Sequence, residues 1–473
     1  MSRDHVRYPP AAAPIRRMRL LAPVLAALLC AAIVPARAAD LLALLALAEQ
    51  SDPEYREAQD NALAVAEGIP QARAALWKPQ LSFTTGGARV RQDIEADFAF
   101  GADGGETAYD RTDYRLSLVQ PVYHRDRHMR LKQADKRLRQ AQLQIDAAFQ
   151  RLMVRLAERY FDVLAAQDNL AFARAEKESL QGQLEQARQR FDVGLIAITD
   201  VQEAQAGYDR ANALVITAEN ERQNAEERLR EVTGEYHRRL WPLGDALPLT
   251  RPDPDNIEQW TETALGQNLD LEAALVATDI AADEIEVQRA GHYPSLDIEG
   301  GHGFNAGGGL FGQNDTETSD IGVRLNVPLY EGGAVSSRTR QAVHEHAGAL
   351  DRLERTRRSV YRQAREAFLG VVTQIGAVSA LKQAVVSSQT ALESTRAGFE
   401  VGTRTTVDVV AAERGLSQAR RDYARARYDY VLNLLRLREA AGTLSPEIIA
   451  QTNSWLRPAS EETGAPADAA KPR

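Results

Sequence analysis

Apolar and polar residues alternate along four short stretches of the chain. The clearest stretch runs from Ile321 to Leu329, where every second residue is Ile, Val or Leu and the residues between them are Gly, Arg, Asn and Pro. A period of two is typical of a strand with one apolar face. The pattern predicts strands at about 80–92, 113–121, 295–304 and 320–329, and the polar, glycine-rich segments 92–112 and 303–319 are expected to be exposed loops.

The residues that follow each pair of strands have a different period. Val201, Tyr208 and Val215 are seven residues apart, and an alanine follows each of them three residues later. A 3.5-residue repeat with alanine at one seam predicts long helices that pack closely and supercoil. The predicted long helices are 123–191, 197–233, 332–398 and 404–441, and shorter helices are expected at about 52–76 and 257–267. At about 1.5 Å per residue the first is on the order of 100 Å long, which no globular core requires.

Both halves of the chain repeat the same order of elements. The segment FDVGLIAITDVQEAQ at 191–205 returns as FEVGTRTTVDVVAAE at 399–413, and WKPQLSFTTGG matches HYPSLDIEGG in the same way. We predict a first structural repeat at 39–236 and a second at 269–443, each with two strands and long coiled-coil helices. Segment 237–268 is predicted as a linker around the middle of the rod, and the tail 444–473 as partly disordered.

The first 38 residues have the pattern of an export signal. Arginines precede an apolar run from Leu20 to Val34, and ARA at 36–38 supplies small residues at a cleavage site. We predict a secretory signal peptide at 1–38, in preference to a membrane anchor, because the apolar run is short.

The expected mature chain is acidic and free of cysteine. Removing 1–38 takes away Cys30, the single cysteine, so we expect no disulfide and no thiol chemistry. It also removes six Lys/Arg and one Asp, which changes the formal net charge from −9 to −14. An acidic chain binds nucleic acid poorly, so no nucleic-acid partner is predicted. Met1 and Met18 both remain open as the start.

The sequence offers no combination of residues that predicts catalysis. His124 and His128 are one helical turn apart, but the arginines at 125 and 127 favour a solvated helix start over a metal site. The GGG at 307–309 lacks the lysine and helix start of a phosphate-binding loop. We therefore expect a protein that is not an enzyme and that holds no cofactor or metal.

Four strands with one apolar face cannot stand alone in lipid, because an open sheet leaves unsatisfied backbone groups at two edges. A membrane barrel needs about eight strands or more, so one chain supplies only part of the wall. The pattern predicts one subunit of an oligomeric outer-membrane barrel. A periplasmic coiled-coil adaptor or structural spacer protein, which would share the heptads, stays open as the alternative.

The signal segment, the duplication and the motifs YPSLDI, VPLYEGG, FDVGLIAITDV and FEVGTRTTVDVV resemble the TolC family of outer-membrane efflux and secretion channel proteins. The resemblance covers 41–442. It implies a mainly α homotrimer with a membrane β part, in which a twelve-stranded β-barrel in outer-membrane lipid continues into a periplasmic α-helical barrel. The implied function is an exit duct of a tripartite efflux pump or type I secretion system, for small toxic molecules or polypeptides. The implied partners are a periplasmic adaptor (membrane fusion) protein and an inner-membrane pump of the RND or ABC type.

The resemblance also gives roles to the duplicated turn. Turns formed by Phe191, Val193 and Gly194 in the first copy, and by Val401 and Gly402 in the second, are expected at the periplasmic tip, where an adaptor docks. Glycine suits the left-handed backbone that ends a helix.

A latch between the two turns is implied as well. Thr199 and Asp200 would bond to positions 399 and 404 and hold the mouth of the tunnel shut. Arg404 matches the family's arginine, whereas Phe399 lacks the hydroxyl of the family's tyrosine.

At the narrowest point the family carries two rings of aspartates. Asp408 matches the first ring, and Ala411 stands where the second would be. We therefore predict a pore constriction with a single ring of three carboxylates, which favours cations.

Overall fold

The computed structural model describes residues 39–97, 103–237, 239–244, 247–308 and 312–458. The predicted signal peptide at 1–38 and the end of the predicted tail at 459–473 lie outside these ranges.

Both halves of the chain contain two strands followed by two long helices. The first half comprises α1 (Leu41–Ser51), α2 (Pro53–Ala66), α3 (Gly68–Trp77), β1 (Gln80–Asp97), β2 (Asp103–Tyr123), α4 (Arg125–Asp192) and α5 (Ile198–Thr233). The second comprises α6 (Ile257–Gln267), α7 (Leu269–Arg289), β3 (Ser295–Gly307), β4 (Asn314–Asn326), α8 (Ala334–Glu400), α9 (Thr406–Ala440) and α10 (Pro446–Asn453). A short 3-10 turn, Ala290–His292, lies between α7 and β3.

The four long helices begin and end within two residues of the bounds predicted from the heptads. Helix α4 has 68 residues, so it is about 100 Å long. At the seam of α5, the alanines Ala204, Ala211 and Ala218 are buried. A seam of alanines lets the axes of α4 and α5 approach closely, which explains how a polar sequence can form a long pair of helices.

The prediction of one helix at about 52–76 is wrong. The segment forms two helices, α2 and α3, which are separated at Glu67. Pro70 lies in the first turn of α3 and has no N–H to donate to the carbonyl of residue 66, so the helix is interrupted there.

A single antiparallel sheet has the strand order β1-β2-β3-β4. Strand β2 pairs with β3, so the sheet joins the two halves of the chain. Within the described part of the chain, β1 and β4 each pair on one side only. The sheet therefore has two open edges.

The strands are longer than the alternation of residues predicts. Most of segments 92–112 and 303–319, expected to be loops, belongs to the strands, because both hairpins extend well beyond the apolar band. There the residues are mainly polar on both faces, and ion pairs such as Arg89–Asp110 lie across the ladder. The alternation of apolar residues is therefore lost although the backbone pairing continues. Strand β4, in contrast, ends at Asn326 rather than near 329, since Pro328 cannot donate to a ladder.

The largest apolar core lies at the middle of the rod, where the linker and the short helices pack on α4 and α9. Tyr160 on α4 and Tyr430 on α9 are fully buried there. The Tyr160 hydroxyl donates to the carbonyl of Trp241 at 2.7 Å, and the Tyr430 hydroxyl accepts from the Thr250 N–H at 3.1 Å. These bonds hold the linker against the two helices.

Candidate functional site

The two copies of the duplicated turn have the same backbone. Gly194 has φ 78° and Gly402 has φ 80°, which is the left-handed conformation that glycine adopts without a steric penalty. In each copy the glycine N–H donates to the carbonyl of the preceding phenylalanine, Phe191 or Phe399. The turns end α4 and α8 and leave their valines, Val193 and Val401, exposed to solvent by 69% and 76%.

Asp200 and Asp408 stabilise the helices that start after the turns. The Ala197 N–H donates to Oδ2 of Asp200 at 3.2 Å, and the Thr405 N–H donates to Oδ2 of Asp408 at 2.9 Å. In the second copy the Thr405 hydroxyl also donates to Asp408 and accepts from its N–H, which completes a capping box. The first copy, with alanine at the cap, has only half of the box.

Asp408 keeps its charge while it caps α9. The Thr405 N–H and hydroxyl, and the nearby positive charge of Arg404, hold the pKa of Asp408 below its ordinary value. Both bonds go to Oδ2, so Oδ1 accepts no hydrogen bond from the described residues. Ala411, one turn further along α9, is exposed and adds no charge.

The two turns are in contact within one chain, although not through the predicted latch. The guanidinium of Arg190, at the end of α4, lies over the ring of Phe399 with 4.9 Å to its centroid. In the second copy Gly398 stands where the first has Arg190, and a Cβ there would lie 2.8 Å from Cγ of Arg404. Gly398 thus leaves room for the stem of Arg404.

The predicted latch residues are not brought together within one chain. In the described residues, no hydrogen bond or ion pair joins Thr199 or Asp200 to Phe399 or Arg404. Thr199 and Arg404 are both exposed, and Arg404 has no ion pair among the described side chains.

A buried carboxylate that the sequence reasoning missed joins the two halves near the turns. Glu413 on α9 is only 5% exposed. Its Oε1 accepts from the Ser179 hydroxyl at 2.7 Å, from Gln183 Nε2 at 3.4 Å and from the guanidinium of Arg396 on α8. Arg396 also donates to Ser179 at 3.0 Å. We call Ser179, Gln183, Arg396 and Glu413 the tip clamp, because it ties α8 and α9 to α4.

The first copy has the same arrangement in a weaker form. Arg188 and Gln205 lie 208 residues before Arg396 and Glu413, and Arg188 donates to Gln205 at 2.7 Å. Arg188 is exposed, and its partner Gln205 is neutral, so the two residues do not form an ion pair. The substitution of Gln by Glu between the two copies was visible in the sequence as the last letter of the duplicated segment. It was the one signal that pointed to the tip clamp.

The opposite end of the molecule is a sheet with two unlike faces. One face is apolar and exposed: Leu81, Phe83, Leu116, Leu118, Ile298, Ile321, Val323 and Leu325. The other face carries Ser82, Thr84, Arg115, Ser117, Glu299, Asp320 and Arg324. The apolar residues of β3 extend from Leu296 to Phe304, and those nine residues are what a tilted strand needs to cross a bilayer.

Aromatic residues mark both borders of the apolar band. On the side away from the helices, the rings of Phe83, Tyr114 and Phe304 stack with centroids 6.4 and 5.6 Å apart. On the helix side, exposed aromatic residues lie at or near the ends of all four strands: Trp77, Tyr123, Tyr293 and Tyr330. Two aromatic belts around an apolar band are typical of an outer-membrane barrel wall.

His124 and His128, one helical turn apart, have separate partners at the junction of sheet and helices. Nε2 of His124 lies 2.8 Å from Oδ1 of Asp297, while Nδ1 of His128 lies 3.1 Å from the carbonyl of His124. His128 also packs edge-on against Trp77.

A membrane-facing sheet at one end of a long helical rod, with paired turns at the other end, defines a channel protein of the outer membrane. The comparisons with known proteins give the family. The model of the family described as outer membrane efflux protein matches residues 44–235 and 260–443, and the chain belongs to this family.

Relatives and solved structures agree with this assignment. The chain is 39% identical over 414 residues to the outer membrane protein TolC of Vibrio cholerae serotype O1, which covers 87% of this chain and 92% of the relative. It is 29% identical to the alkaline protease secretion protein AprF of Pseudomonas aeruginosa, over 84% of this chain and 83% of the relative. The Campylobacter jejuni CmeC outer membrane channel has the same fold, with a TM-score of 0.73 at 16% identity, over 88% of this chain and 89% of that one.

Proposed function

We propose that three copies of this chain form one exit duct, a barrel through the outer membrane that continues as a helical tunnel and is gated at the paired turns. The observation that carries the proposal is the sheet, which has an exposed apolar face and two open edges. In lipid every backbone group needs a partner, so β1 of one copy must pair with β4 of the next. Three sheets of four strands then make a closed wall of a size known for membrane barrels.

The helices support the same assembly. Helix α8 contains an 18-residue window with a mean hydropathy of 1.4, long and apolar enough to cross a membrane, of which only 11% is buried within the chain. Exposed apolar residues on this helix include Val343, Leu350, Leu369 and Val386. A long amphipathic rod that leaves such a surface in water needs a partner, and a second copy placed beside the first would cover it. The helical walls then close together with the strands.

The paired turns form the periplasmic mouth in this assembly. The tip clamp holds α8 and α9 to α4 within each copy. We assign the link of Thr199 and Asp200 to Arg404 to neighbouring copies, because Arg404 is exposed and makes no ion pair with the described side chains of its own chain. An exposed link of this kind contributes about 1 kcal/mol. The mouth is thus closed by several weak links that a docking partner can replace.

Asp408 supplies the charge at the mouth. Three copies place three carboxylates around the constriction, and with Ala411 beside them there is no second ring. The lowered pKa of Asp408 keeps the ring charged, so the constriction favours cations.

An adaptor protein and an inner-membrane pump complete the system. The exposed valines of the turns, Val193 and Val401, give an adaptor an apolar contact at the tip. The family is described as outer membrane efflux protein and the AprF relative is named for protease secretion, so we assign both small toxic molecules and polypeptides as cargo classes. An RND-type or ABC-type pump would provide the energy. Export to the outer membrane would rely on the signal peptide at 1–38.

Fractionation combined with an unheated gel tests the assembly. The chain is expected in the outer-membrane fraction, as a species of three chains that becomes a monomer on heating. In planar bilayers the same material should conduct ions and prefer cations. A soluble periplasmic monomer would contradict the proposal and support the spacer alternative.

A further inference from the structure

An ion pair crosses the polar face of the sheet without touching a side chain of the strand between its members. Nη2 of Arg115 on β2 lies 3.2 Å from Oδ1 and 3.5 Å from Oδ2 of Asp320 on β4. Strand β3 runs between them, and the residue beneath the pair is Gly301, which is the register partner of Asp320. A Cβ at Gly301 would lie 2.6 Å from Nη2 of Arg115 and 3.0 Å from Oδ1 of Asp320. A side chain at this position would therefore displace the guanidinium group from where it meets the carboxylate.

Arg115 lies on the face that would line the inside of the barrel. Its chain neighbours Tyr114 and Leu116 are on the apolar face, so Arg115 points the other way, at the height of the apolar band. The assignment of this face to the lumen rests on the proposed barrel. A second pair, Arg324 with Glu299 at 2.6 Å, lies on the same face. Arg115 and Arg324 thus each have a carboxylate partner on this face.

Gly301 leaves the space in which the Arg115–Asp320 pair lies flat against the wall, and we call this space the seat. We propose that the seat determines how strongly the exit barrel binds charged cargo. With the seat, three copies present three neutralised pairs and a smooth wall. Without it, three guanidinium groups point into the lumen, and a ring of guanidinium groups binds anions with several negative charges, such as sulfonates or phosphates. Gly301 thus keeps the exit from retaining acidic cargo that has already passed the mouth.

Gly301→Ala is a mild way to remove the seat. The atom closest to the new methyl group is the end of a flexible arginine side chain, which can swing away without moving the backbone. Gly322→Ala is a matched control, because Gly322 lies on the same face of β4 and a Cβ there has no heavy atom within 4 Å. Asp320→Asn frees Arg115 by a second route that leaves Gly301 in place.

The test is the binding of pyrenetetrasulfonate to the detergent-solubilised trimer, followed by fluorescence anisotropy. We expect Gly301→Ala and Asp320→Asn to bind the probe at least about tenfold more tightly than the wild type, with one probe for three chains. Gly322→Ala should behave as the wild type, and adding Arg115→Gln to Gly301→Ala should abolish the gain.

Two results would overturn the inference. If Gly301→Ala binds no better than Gly322→Ala while Asp320→Asn does, glycine is not the seat. If neither variant gains affinity, the pair does not control the charge of the wall. A wild type that forms no trimer on the unheated gel is a different result, because it contradicts the proposed barrel itself.

Discussion

The two halves of this chain place an arginine and its partner at the same two positions, and only one half makes a strong link from them. Arg188 meets Gln205 at the surface, whereas Arg396 meets Glu413, which is buried and also bonded to Ser179 and Gln183. The acceptor is the amide oxygen of Gln205 in the first half and a carboxylate oxygen of Glu413 in the second. The comparison shows how a duplicated unit acquires unlike roles: the copies keep the turn and change the atoms that tie it to its surroundings.

The largest effect is expected from Glu413→Gln, which gives the second half the residue of the first. A hydrogen bond to a charged group is worth more than one between neutral groups, and Glu413 makes three, so the loss should be about 3 kcal/mol per chain. With the tip clamp weakened, α8 and α9 move more freely against α4. Single-channel recordings should show a higher conductance or frequent opening.

The control for this variant is the reverse change in the other half. Gln205→Glu adds a charge at an exposed pair and should leave the conductance as it is. A Glu413→Gln channel that is as closed as the wild type would show that the tip clamp has no part in closing the mouth.

The next effect distinguishes two glutamates that occupy equivalent positions at the far ends of α5 and α9. Burial raises the pKa of Glu439 to about 7, with Glu158 and Asp270 adding to the shift and Arg151 and Arg436 opposing it, whereas Glu231 is exposed. A carboxyl with a raised pKa stabilises the folded chain at low pH, and this contribution is lost as the pH rises toward 7. Glu439→Gln should therefore raise the free energy of unfolding at pH 8 by about 2 kcal/mol, seen as a higher melting temperature, and should change it little at pH 4.

Thermal melts of the detergent-solubilised protein at the two pH values measure this difference. Glu231→Gln, the matched change in the first half, should give the same melting temperature as the wild type at both. An equal gain for Glu439→Gln at pH 4 and pH 8 would mean that the charge of Glu439 is not the cause.

A smaller effect is expected from Arg404→Ser, which removes the proposed link between neighbouring copies. An exposed ion pair is worth about 1 kcal/mol, so the mouth should loosen less than in Glu413→Gln and show a moderate rise in conductance. Arg188→Ser removes an exposed arginine from the first half and serves as the control. A recording identical to that of the wild type would count against the link.

Asp408→Ala is expected to have the smallest effect on closure of the mouth, but it has the most specific measurement, which is ion selectivity. The reversal potential in a salt gradient should show that cation selectivity weakens, and the lowered pKa of Asp408 predicts that the wild type keeps its selectivity as the pH falls toward 4. Asp200→Ala removes the matching helix cap from the first half. If both variants lose selectivity equally, a distorted helix start rather than the carboxylate ring would be responsible.

The sequence predicts those parts of the fold that depend on a repeating pattern. The heptads on either side of Ala211 predict the bounds of the long helices closely, and the duplication locates both turns. Helices and turns can be predicted in this way because both are determined by residues that are close in the sequence. The hairpins beyond the apolar band were missed, since paired strands in water need no alternation. The tip clamp could not be predicted as a contact, because Ser179 and Glu413 are 234 residues apart and meet only through the register of α4 against α9.

The two open edges of the sheet also have a consequence for biogenesis. A chain that is alone at the membrane offers β1 and β4 as unpaired templates, and nothing in its own described part closes them. If three chains close the barrel, as proposed, insertion and assembly become one event, and its rate should rise steeply with the local concentration of unassembled chains. A cell that makes little of this protein would be limited by encounters between chains rather than by the folding of each one.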